Sequence, residues 1–207
     1  MNAPATVFVV EDDTAVRRAL SVALRERGYT VESFASAEAF LDAGCDGRPG
    51  CLLLDIRMPG IGGLELQDRL KRADSALPVI FITAHANVPM AVSAVRKGAF
   101  DFLEKPYDLD ALIDSIDAAV ASDRLQRETQ EKEAEARRRY RQLSTREREV
   151  LALLIAGPDT SNRAIAGQLG ISHRTVETYR GRLMHKMGAR SLVELARLAA
   201  LAESREA

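Results

Sequence analysis

Short apolar runs alternate with helical patterns over the first 120 residues of the chain. Near-continuous apolar runs, such as residues 6–10 and 51–54, are typical of strands that are buried on both faces of a sheet. Between these runs, apolar residues recur at helical spacing until a glycine such as Gly28 ends the pattern. Five repeats of strand and helix predict a doubly wound, flavodoxin-like parallel sheet of the α/β class. The expected strands are 6–10, 30–34, 51–54, 79–83 and 100–103, and a helix is expected over 90–97.

A long helical pattern begins at Leu109 and continues without glycine or proline to residue 140. Residues 123–140 carry mixed charges and few apolar side chains, which favours a solvated linker helix; a weak dimer contact through Leu125 is the alternative. Residues 141–207 contain helical patterns only. Two of these helices meet at residues 170–172, as in a helix-turn-helix. The sequence therefore predicts an α/β domain over 1–122, a helical linker over 123–140 and an all-α, four-helix domain over 141–207.

Charge is distributed unevenly between these parts. The 207 residues have a formal net charge of −1, yet residues 1–122 carry 12 Lys/Arg against 18 Asp/Glu, and residues 141–207 carry 11 against 7. This asymmetry favours nucleic acid as a partner of the C-terminal part. No apolar run reaches membrane length, the N-terminus lacks a signal-peptide pattern, and Cys45 and Cys51 form no metal or redox motif. We therefore expect a cytoplasmic protein with no membrane partner.

Polar residues follow four strands of the predicted sheet, at the edge where the carboxyl ends of the strands meet. Glu11 and Asp12 follow the first strand, Asp55 the third and Lys105 the fifth, while Thr83 ends the fourth. Ligands bind at this edge in doubly wound sheets. Neighbouring carboxylates repel one another unless a hard cation such as Mg²⁺ lies among them. Singly, each residue also fits a turn, a cap or a strand position, but together they predict a phosphoryl-transfer site with Asp55 as the nucleophile.

Residues 5–122 closely resemble the response-regulator receiver family in the acidic pair Glu11-Asp12 and in the motifs LLLDIRMPG, ITAH and EKP. The resemblance implies that Asp55 is the phosphoacceptor of a sensor histidine kinase. It also implies that Asp12, Asp55 and the backbone carbonyl of Arg57 bind Mg²⁺, with Glu11 acting through water. Asp13 lies one position past the family's acidic pair, so we expect it at the surface.

The same resemblance assigns the remaining residues of the site. Thr83 and Lys105 would contact the phosphoryl oxygens, and Thr83 and Phe102 would form the conformational switch. The Lys105-Pro106 bond resembles the cis peptide of the family. Phosphorylated receivers of this type would form a homodimer through the surface around the helix expected over 90–97 and the fifth strand, and here this surface includes residues 88–90 and 92. An exposed helix start would have the same composition.

The C-terminal residues 143–203 resemble LuxR-type helix-turn-helix domains, so the whole chain is similar to FixJ-type response regulators, in particular to StyR- and TodT-like activators. Two departures from the family pattern are a two-residue insertion in 158–161 and Tyr179 in place of a common histidine. Tyr179 shares helical spacing with Val176 and Leu183, which predicts a buried face.

The opposite face of this helix would enter the major groove of DNA. Glu177 can accept a hydrogen bond from a cytosine amino group, and Thr178 can contact a thymine methyl group. Basic residues around them would contact phosphates, although each of them also fits a solvated helix face. The predicted DNA-binding residues are Arg174, Thr175, Glu177, Thr178, Arg180, Gly181, Arg182 and Lys186.

Taken together, these features predict a phosphorylation-dependent transcriptional regulator of a two-component system, an activator rather than an enzyme. Its expected partners are a sensor histidine kinase, promoter DNA with an inverted repeat, RNA polymerase and a second copy of the chain. One rival is an aspartyl-phosphate hydrolase of haloacid-dehalogenase type, which needs a second acid where this chain has Arg57. Another rival is a DNA-binding protein with a vestigial receiver, against which the intact acidic pair, Thr83 and Lys105 argue.

Overall fold

A five-stranded parallel sheet forms the centre of the first of two structural units, which comprise residues 1–127 and 128–207. The computed structural model describes residues 5–84, 94, 96–157 and 161–203. The strands are β1 (Thr6–Val10), β2 (Thr30–Phe34), β3 (Gly50–Asp55), β4 (Val79–Thr83) and β5 (Asp101–Glu104). The helices of this part of the chain are α1 (Thr14–Glu26), α2 (Ala37–Asp42), α3 (Gly63–Arg72) and α4 (Leu109–Arg141), of which α4 continues past residue 127.

The strand order is β2-β1-β3-β4-β5, and every neighbouring pair is parallel. This is the order of a flavodoxin-like, doubly wound sheet, so the predicted fold class is confirmed. The last strand begins one residue later than expected, because Phe100 is 39% exposed and precedes the ladder. The helix predicted over 90–97 lies largely outside the described residues, and the dimer surface predicted at Val88, Pro89, Met90 and Val92 lies wholly outside them.

Strands β1, β3 and β4 are buried along their whole length because helices cover both faces of the sheet. Phe8 and Leu54 point to one side, where α2 and α3 contribute the buried residues of the core. Val9 and Leu53 point to the other side, against α1 and α4. Alternating side chains of a strand thus fill two separate cores. This packing fixes the carboxyl ends of the strands at one edge of the sheet.

A buried carboxylate ties α4 to the opposite edge of the sheet. Asp123 is 1% exposed, and its Oδ2 accepts a hydrogen bond of 2.9 Å from the Gly50 amide. Arg127 donates from Nε to Asp123, and its two other guanidinium nitrogens donate to the carbonyls of Gly47 and Arg48 at 2.9 and 2.8 Å. Although both residues fall within the predicted linker 123–140, they belong to the N-terminal unit and contact the start of β3 and the segment before it.

Replacement of Asp123 by alanine should destabilise the sheet by about 3 kcal/mol, because it leaves the Gly50 amide and the Arg127 guanidinium without their carboxylate. Hydrogen exchange measured by mass spectrometry on the full chain checks this, since peptides from β1 and β3 should lose about two orders of magnitude of protection. Asp114→Ala, at an exposed position of the same helix, is the matched control. Equal protection in both variants would show that Asp123 contributes nothing.

The C-terminal unit is helical over its described residues. It contains α5 (Thr145–Ile155), α6 (Asn162–Leu169), α7 (His173–Met187) and α8 (Leu192–Glu203). Ser144 and Glu147 form the capping box that starts α5, and Gly170, with a φ of 65°, ends α6 before α7 begins. The insertion predicted in 158–161 lies almost entirely outside the described residues. Among the described helices, none has the length and apolar character needed to cross a membrane.

Buried residues of all four helices form one hydrophobic core. Val150 of α5, Ile165 of α6, Val176 and Leu183 of α7 and Leu195 of α8 are each completely buried in it. The helix-turn-helix of α6 and α7 therefore has a fixed scaffold, and the face of α7 opposite this core remains in contact with solvent.

Candidate acidic site and nucleic-acid interface

The carboxyl ends of the strands bring acidic and basic side chains together in one pocket. Ligand oxygens of Glu11, Asp12 and Asp55 all lie within 4.8 Å of one another. Lys105 Nζ lies 2.6 Å from Glu11 Oε2 and 2.9 Å from Asp55 Oδ2. Glu11 and Asp55 are only 4% and 8% exposed, and the pocket above them has a volume of about 300 Å³. The structure thus assembles residues from three strand ends that are far apart in sequence.

The charges in this pocket are not balanced. Burial raises the pKa of Glu11 above its ordinary value, and the charge of Asp55 raises it further against the lowering effect of the Lys105 hydrogen bond. Burial alone would lower the pKa of Lys105, but the hydrogen bonds to Glu11 and Asp55 raise it above its ordinary value. Lys105 is therefore protonated at neutral pH and lies between two carboxylates. A second cation would reduce the remaining repulsion.

The composition of the donor set fits a divalent metal. Glu11, Asp12 and Asp55 each offer a carboxylate oxygen. Among the residues that the structure describes, no cysteine or histidine belongs to this group. A hard cation such as Mg²⁺ prefers oxygen ligands of this kind and retains several water molecules. Asp55 Oδ1 also accepts a hydrogen bond of 3.0 Å from the Arg57 amide, so the chain turns back over the carboxylate immediately after it.

Thr83 ends β4 and Lys105 directly follows β5 at this edge, whereas Phe102 lies within β5. Thr83 is 1% exposed and lines the pocket, and its carbonyl accepts a hydrogen bond of 2.8 Å from the Lys105 amide. Phe102 is partly buried against the core beside its register partner Phe81. The Lys105-Pro106 bond is cis, as expected from the sequence.

Two residues beside the acidic pair have structural roles. Asp13 is exposed and caps α1 by accepting hydrogen bonds from the Ala15 and Val16 amides, and these bonds lower its pKa. Arg17 was not among the residues predicted for this site, and its Nη1 donates to the Glu11 carbonyl at 2.7 Å and to the Asp12 carbonyl at 3.1 Å. An arginine one turn into the helix after an acidic pair is the sequence signal that could have indicated this contact.

One face of α7 is exposed, as the sequence predicts. Val176, Leu183 and Met187 are buried, and Tyr179 packs partly against the same core. The exposed residues of the opposite face are Arg174, Glu177, Thr178, Gly181 and Arg182, and those of intermediate exposure are Thr175, Arg180 and Lys186.

Hydrogen bonds within α7 restrict two of the side chains predicted to contact bases. The hydroxyl of Thr178 donates a hydrogen bond to the Arg174 carbonyl at 3.0 Å. Its methyl group is therefore the part that is available to contact a base. Glu177 Oε1 lies 3.6 Å from Nδ1 of His173, within reach of an ion pair when the histidine is protonated.

Lys186 differs from the other basic residues of α7 because its charge is paired inside the domain. Its Nζ lies 2.7 Å from Oε2 of Glu147, a side chain that is 4% exposed. Burial by itself would raise the pKa of Glu147, but hydrogen bonds from Lys186 and from Ser144 lower it below the ordinary value. The ionised carboxylate therefore joins the start of α5 to the end of α7.

Replacement of Lys186 by alanine should destabilise the C-terminal unit by about 2 kcal/mol, because Glu147 then remains buried without its cation. Arg182→Ala is the matched control, since Arg182 is exposed on the same helix. Hydrogen exchange of peptides from α5 and α7 measures the difference. Arg182→Ala should keep wild-type protection and lose salt-dependent DNA affinity. The same result for Lys186→Ala would show that Lys186 does not stabilise the C-terminal unit by pairing with Glu147.

The doubly wound sheet with its acidic pocket, followed by a helix-turn-helix unit, defines the class of response regulators that carry a DNA-binding domain. Residues 7–117 match the family described as "Response regulator receiver domain", and residues 141–199 match "Bacterial regulatory proteins, luxR family". The chain belongs to the response-regulator receiver family, and its C-terminal part is a LuxR-type domain.

Several relatives match nearly the whole chain, across both of its parts. The transcriptional regulatory protein FixJ of Azorhizobium caulinodans is 46% identical over 95% of this chain and 92% of its own length. The response regulator protein TodT of Pseudomonas putida is 38% identical over 93% and 84%. The solved structure of the response regulator StyR is 41% identical, covers 95% of this chain and 98% of its own, and superposes with a TM-score of 0.86.

These findings confirm the predicted similarity to FixJ-type regulators and to StyR and TodT. The protein is a DNA-binding transcriptional regulator of a two-component system. A receiver domain implies a histidine kinase as its partner, and the named relatives are regulators rather than enzymes.

Proposed function

We propose that a sensor histidine kinase transfers a phosphoryl group to Asp55 and that this modification promotes promoter binding by the C-terminal domain. The observation that carries the proposal is the position of Lys105, which contacts both Glu11 and Asp55 in one pocket. A carboxylate beside a fixed cation and a group of metal-binding oxygens is the arrangement that phosphoryl transfer requires.

In the proposed reaction, an Asp55 oxygen attacks phosphorus while the bond from phosphorus to the histidine of the kinase breaks. Asp12, Asp55 and the Arg57 carbonyl would hold Mg²⁺, with Glu11 acting through water. The bound ion would neutralise charge on the phosphoryl oxygens. Lys105 would bind one of these oxygens and Thr83 another. The position two residues after Asp55 is Arg57 rather than an acid, so we propose a phosphoacceptor and not a hydrolase.

We further propose the functional division into a receiver over 1–122, a linker over 123–140 and a DNA-binding domain over 141–207. The family matches over 7–117 and 141–199 fall within the two outer parts, which supports this division. Phosphorylation would shift the receiver, through Thr83 and Phe102, toward a state that forms a homodimer. The protein would act in the cytoplasm as an activator that contacts RNA polymerase.

For DNA recognition, we propose that α7 enters the major groove. Glu177 and Thr178 would contact bases, and Arg174, Arg180 and Arg182 would contact phosphates. Thr175, Gly181 and Lys186 would complete the contact surface. The positive charge of Lys186 would contribute less than that of the arginines, because it is partly neutralised by Glu147. Two copies related by a two-fold axis would recognise an inverted repeat. Footprinting on the promoter beside the gene tests this, because two protected half-sites are expected, and a single unpaired site would contradict it.

Two substitutions in α7 should separate phosphate contacts from base contacts. Arg180→Ala should weaken binding to all duplexes alike and reduce the slope of log affinity against log salt by about one. Thr178→Ser removes the methyl group while it keeps the hydroxyl bonded to the Arg174 carbonyl, so it should change the base preference at one position. Binding assays with a panel of single-base variants over a salt series measure both effects. A uniform loss in both variants would show that Thr178 does not contact a base.

A further inference from the structure

A carboxylate from a separate helix contacts the loop that follows Asp55. Glu38 lies in the first turn of α2, and its Oε1 accepts a hydrogen bond of 2.9 Å from the amide of Ile61. Ile61 belongs to the segment between β3 and α3, 23 residues further along the chain. The contact therefore connects two elements that share no strand pairing or helix.

The carboxylate of Glu38 approaches the backbone of this loop closely at Gly60. Gly60 has a φ of 74°, and a Cβ at this position would lie 2.6 Å from Glu38 Oε1. Pro59 precedes it, and proline followed by a residue with positive φ fits the centre of a type II turn. Because a side chain at position 60 would displace the carboxylate, the glycine and Glu38 form one structural unit.

The two ends of the same loop are fixed against the phosphoacceptor strand. At its start, the Arg57 amide donates to Asp55 Oδ1 at 3.0 Å. At its end, the Gly63 amide donates to the Ile56 carbonyl at 3.0 Å, and a Cβ on Gly63 would lie 2.3 Å from the Asp55 carbonyl oxygen. Glu38 contacts the middle of this closed loop. The Arg57 carbonyl, a proposed metal ligand, lies on the segment between these contacts.

Glu38 remains ionised in this position. The hydrogen bond from the Ile61 amide lowers its pKa most, and bonds from its own amide and from Ser36 lower it further. Arg69 of α3 adds a favourable charge. A charged acceptor forms a stronger hydrogen bond to a backbone amide than a neutral one does.

We propose that Glu38 is a positioning residue for the acidic site: by holding Gly60 and Ile61, it fixes the loop that carries the Arg57 carbonyl and so strengthens binding of a divalent cation beside Asp55. This inference rests on the proposed function of the site. Glu38 acts through the loop and touches neither the cation nor the phosphoryl group.

Titration of the full-length chain with Mg²⁺, measured by calorimetry, tests the proposal. Glu38→Ala should raise the Mg²⁺ dissociation constant about tenfold, because the loop loses a charged hydrogen bond. Glu38→Gln should restore most of the affinity, since its amide oxygen can accept from Ile61. Glu65→Ala, in the first turn of α3 and paired with Arg69, is the matched control and should bind Mg²⁺ as the wild type does.

Gly60→Ala provides an independent variant if Glu38→Ala fails to fold. It leaves Glu38 in place but adds a Cβ 2.6 Å from Glu38 Oε1 at a φ of 74°, which strains the loop that Glu38 holds, so it should weaken Mg²⁺ binding to a similar degree. Wild-type affinity in Glu38→Ala or in Gly60→Ala would overturn the proposal. Failure of the proposed function is distinguishable, because in that case the wild-type chain itself would take no phosphoryl group at Asp55.

Discussion

Asp55→Asn is expected to abolish phosphorylation of the chain by acetyl phosphate and Mg²⁺. The wild type should gain one phosphoryl group that is stable in acid and labile in base, as an acyl phosphate is. Asp55 contacts Lys105 and lies beside Glu11 and Asp12, whose carboxylate oxygens could hold a metal ion together with its own. An amide at this position has no negative oxygen to attack phosphorus, so the loss should be complete. Intact-mass spectrometry before and after base treatment measures it.

The control for this experiment is Asp13→Asn. Asp13 lines the pocket, but its carboxylate caps α1, and asparagine is an equally good capping residue. This variant should therefore be labelled as the wild type is. Equal labelling of Asp55→Asn and the wild type would show that another residue is the phosphoacceptor.

Lys105→Ala should separate phosphorylation from the increase in DNA affinity. The substitution removes the cation that lies between Glu11 and Asp55, so Mg²⁺ affinity should be maintained or increased by the added negative charge. The phosphoryl group, however, would lose the side chain that binds its oxygen and stabilises the switched state. We expect a variant that is labelled but gains no DNA affinity, measured by mass spectrometry and by fluorescence anisotropy with a labelled duplex.

Lys97→Ala is the matched control because Lys97 forms an ion pair with Asp68 away from the pocket. This variant should be labelled and should gain DNA affinity as the wild type does. If labelled Lys105→Ala gained affinity to the same extent, Lys105 would have no part in the switch.

Periodicity predicted the fold well because the core strands are buried on both faces. The apolar runs at β1, β3 and β4 are typical of strands in a parallel sheet covered by helices on both faces, and the helical patterns between them supply those helices. The positions of Glu11, Asp55 and Lys105 at one edge followed directly from that topology. The edge strand β5 was predicted one residue early because its apolar pattern is short.

Contacts between distant residues could not be predicted in this way. Asp123 with Gly50 and Glu38 with Ile61 join residues 73 and 23 positions apart, and neither pair has a spacing that periodicity detects. The pairing of Lys186 with Glu147 depends on how α5 and α7 pack. A basic residue on a helix that binds DNA has the same sequence pattern whether its charge is exposed or paired.

The central claim is that phosphorylation of Asp55 increases the affinity of the chain for its promoter. The direct measurement is the dissociation constant for a duplex with the footprinted site, at one salt concentration, with and without acetyl phosphate and Mg²⁺. We predict that the affinity of the wild type rises at least about fivefold and that the affinity of Asp55→Asn does not change. An equal rise in both proteins, or no rise in wild-type protein that mass spectrometry shows to be phosphorylated, would contradict the claim.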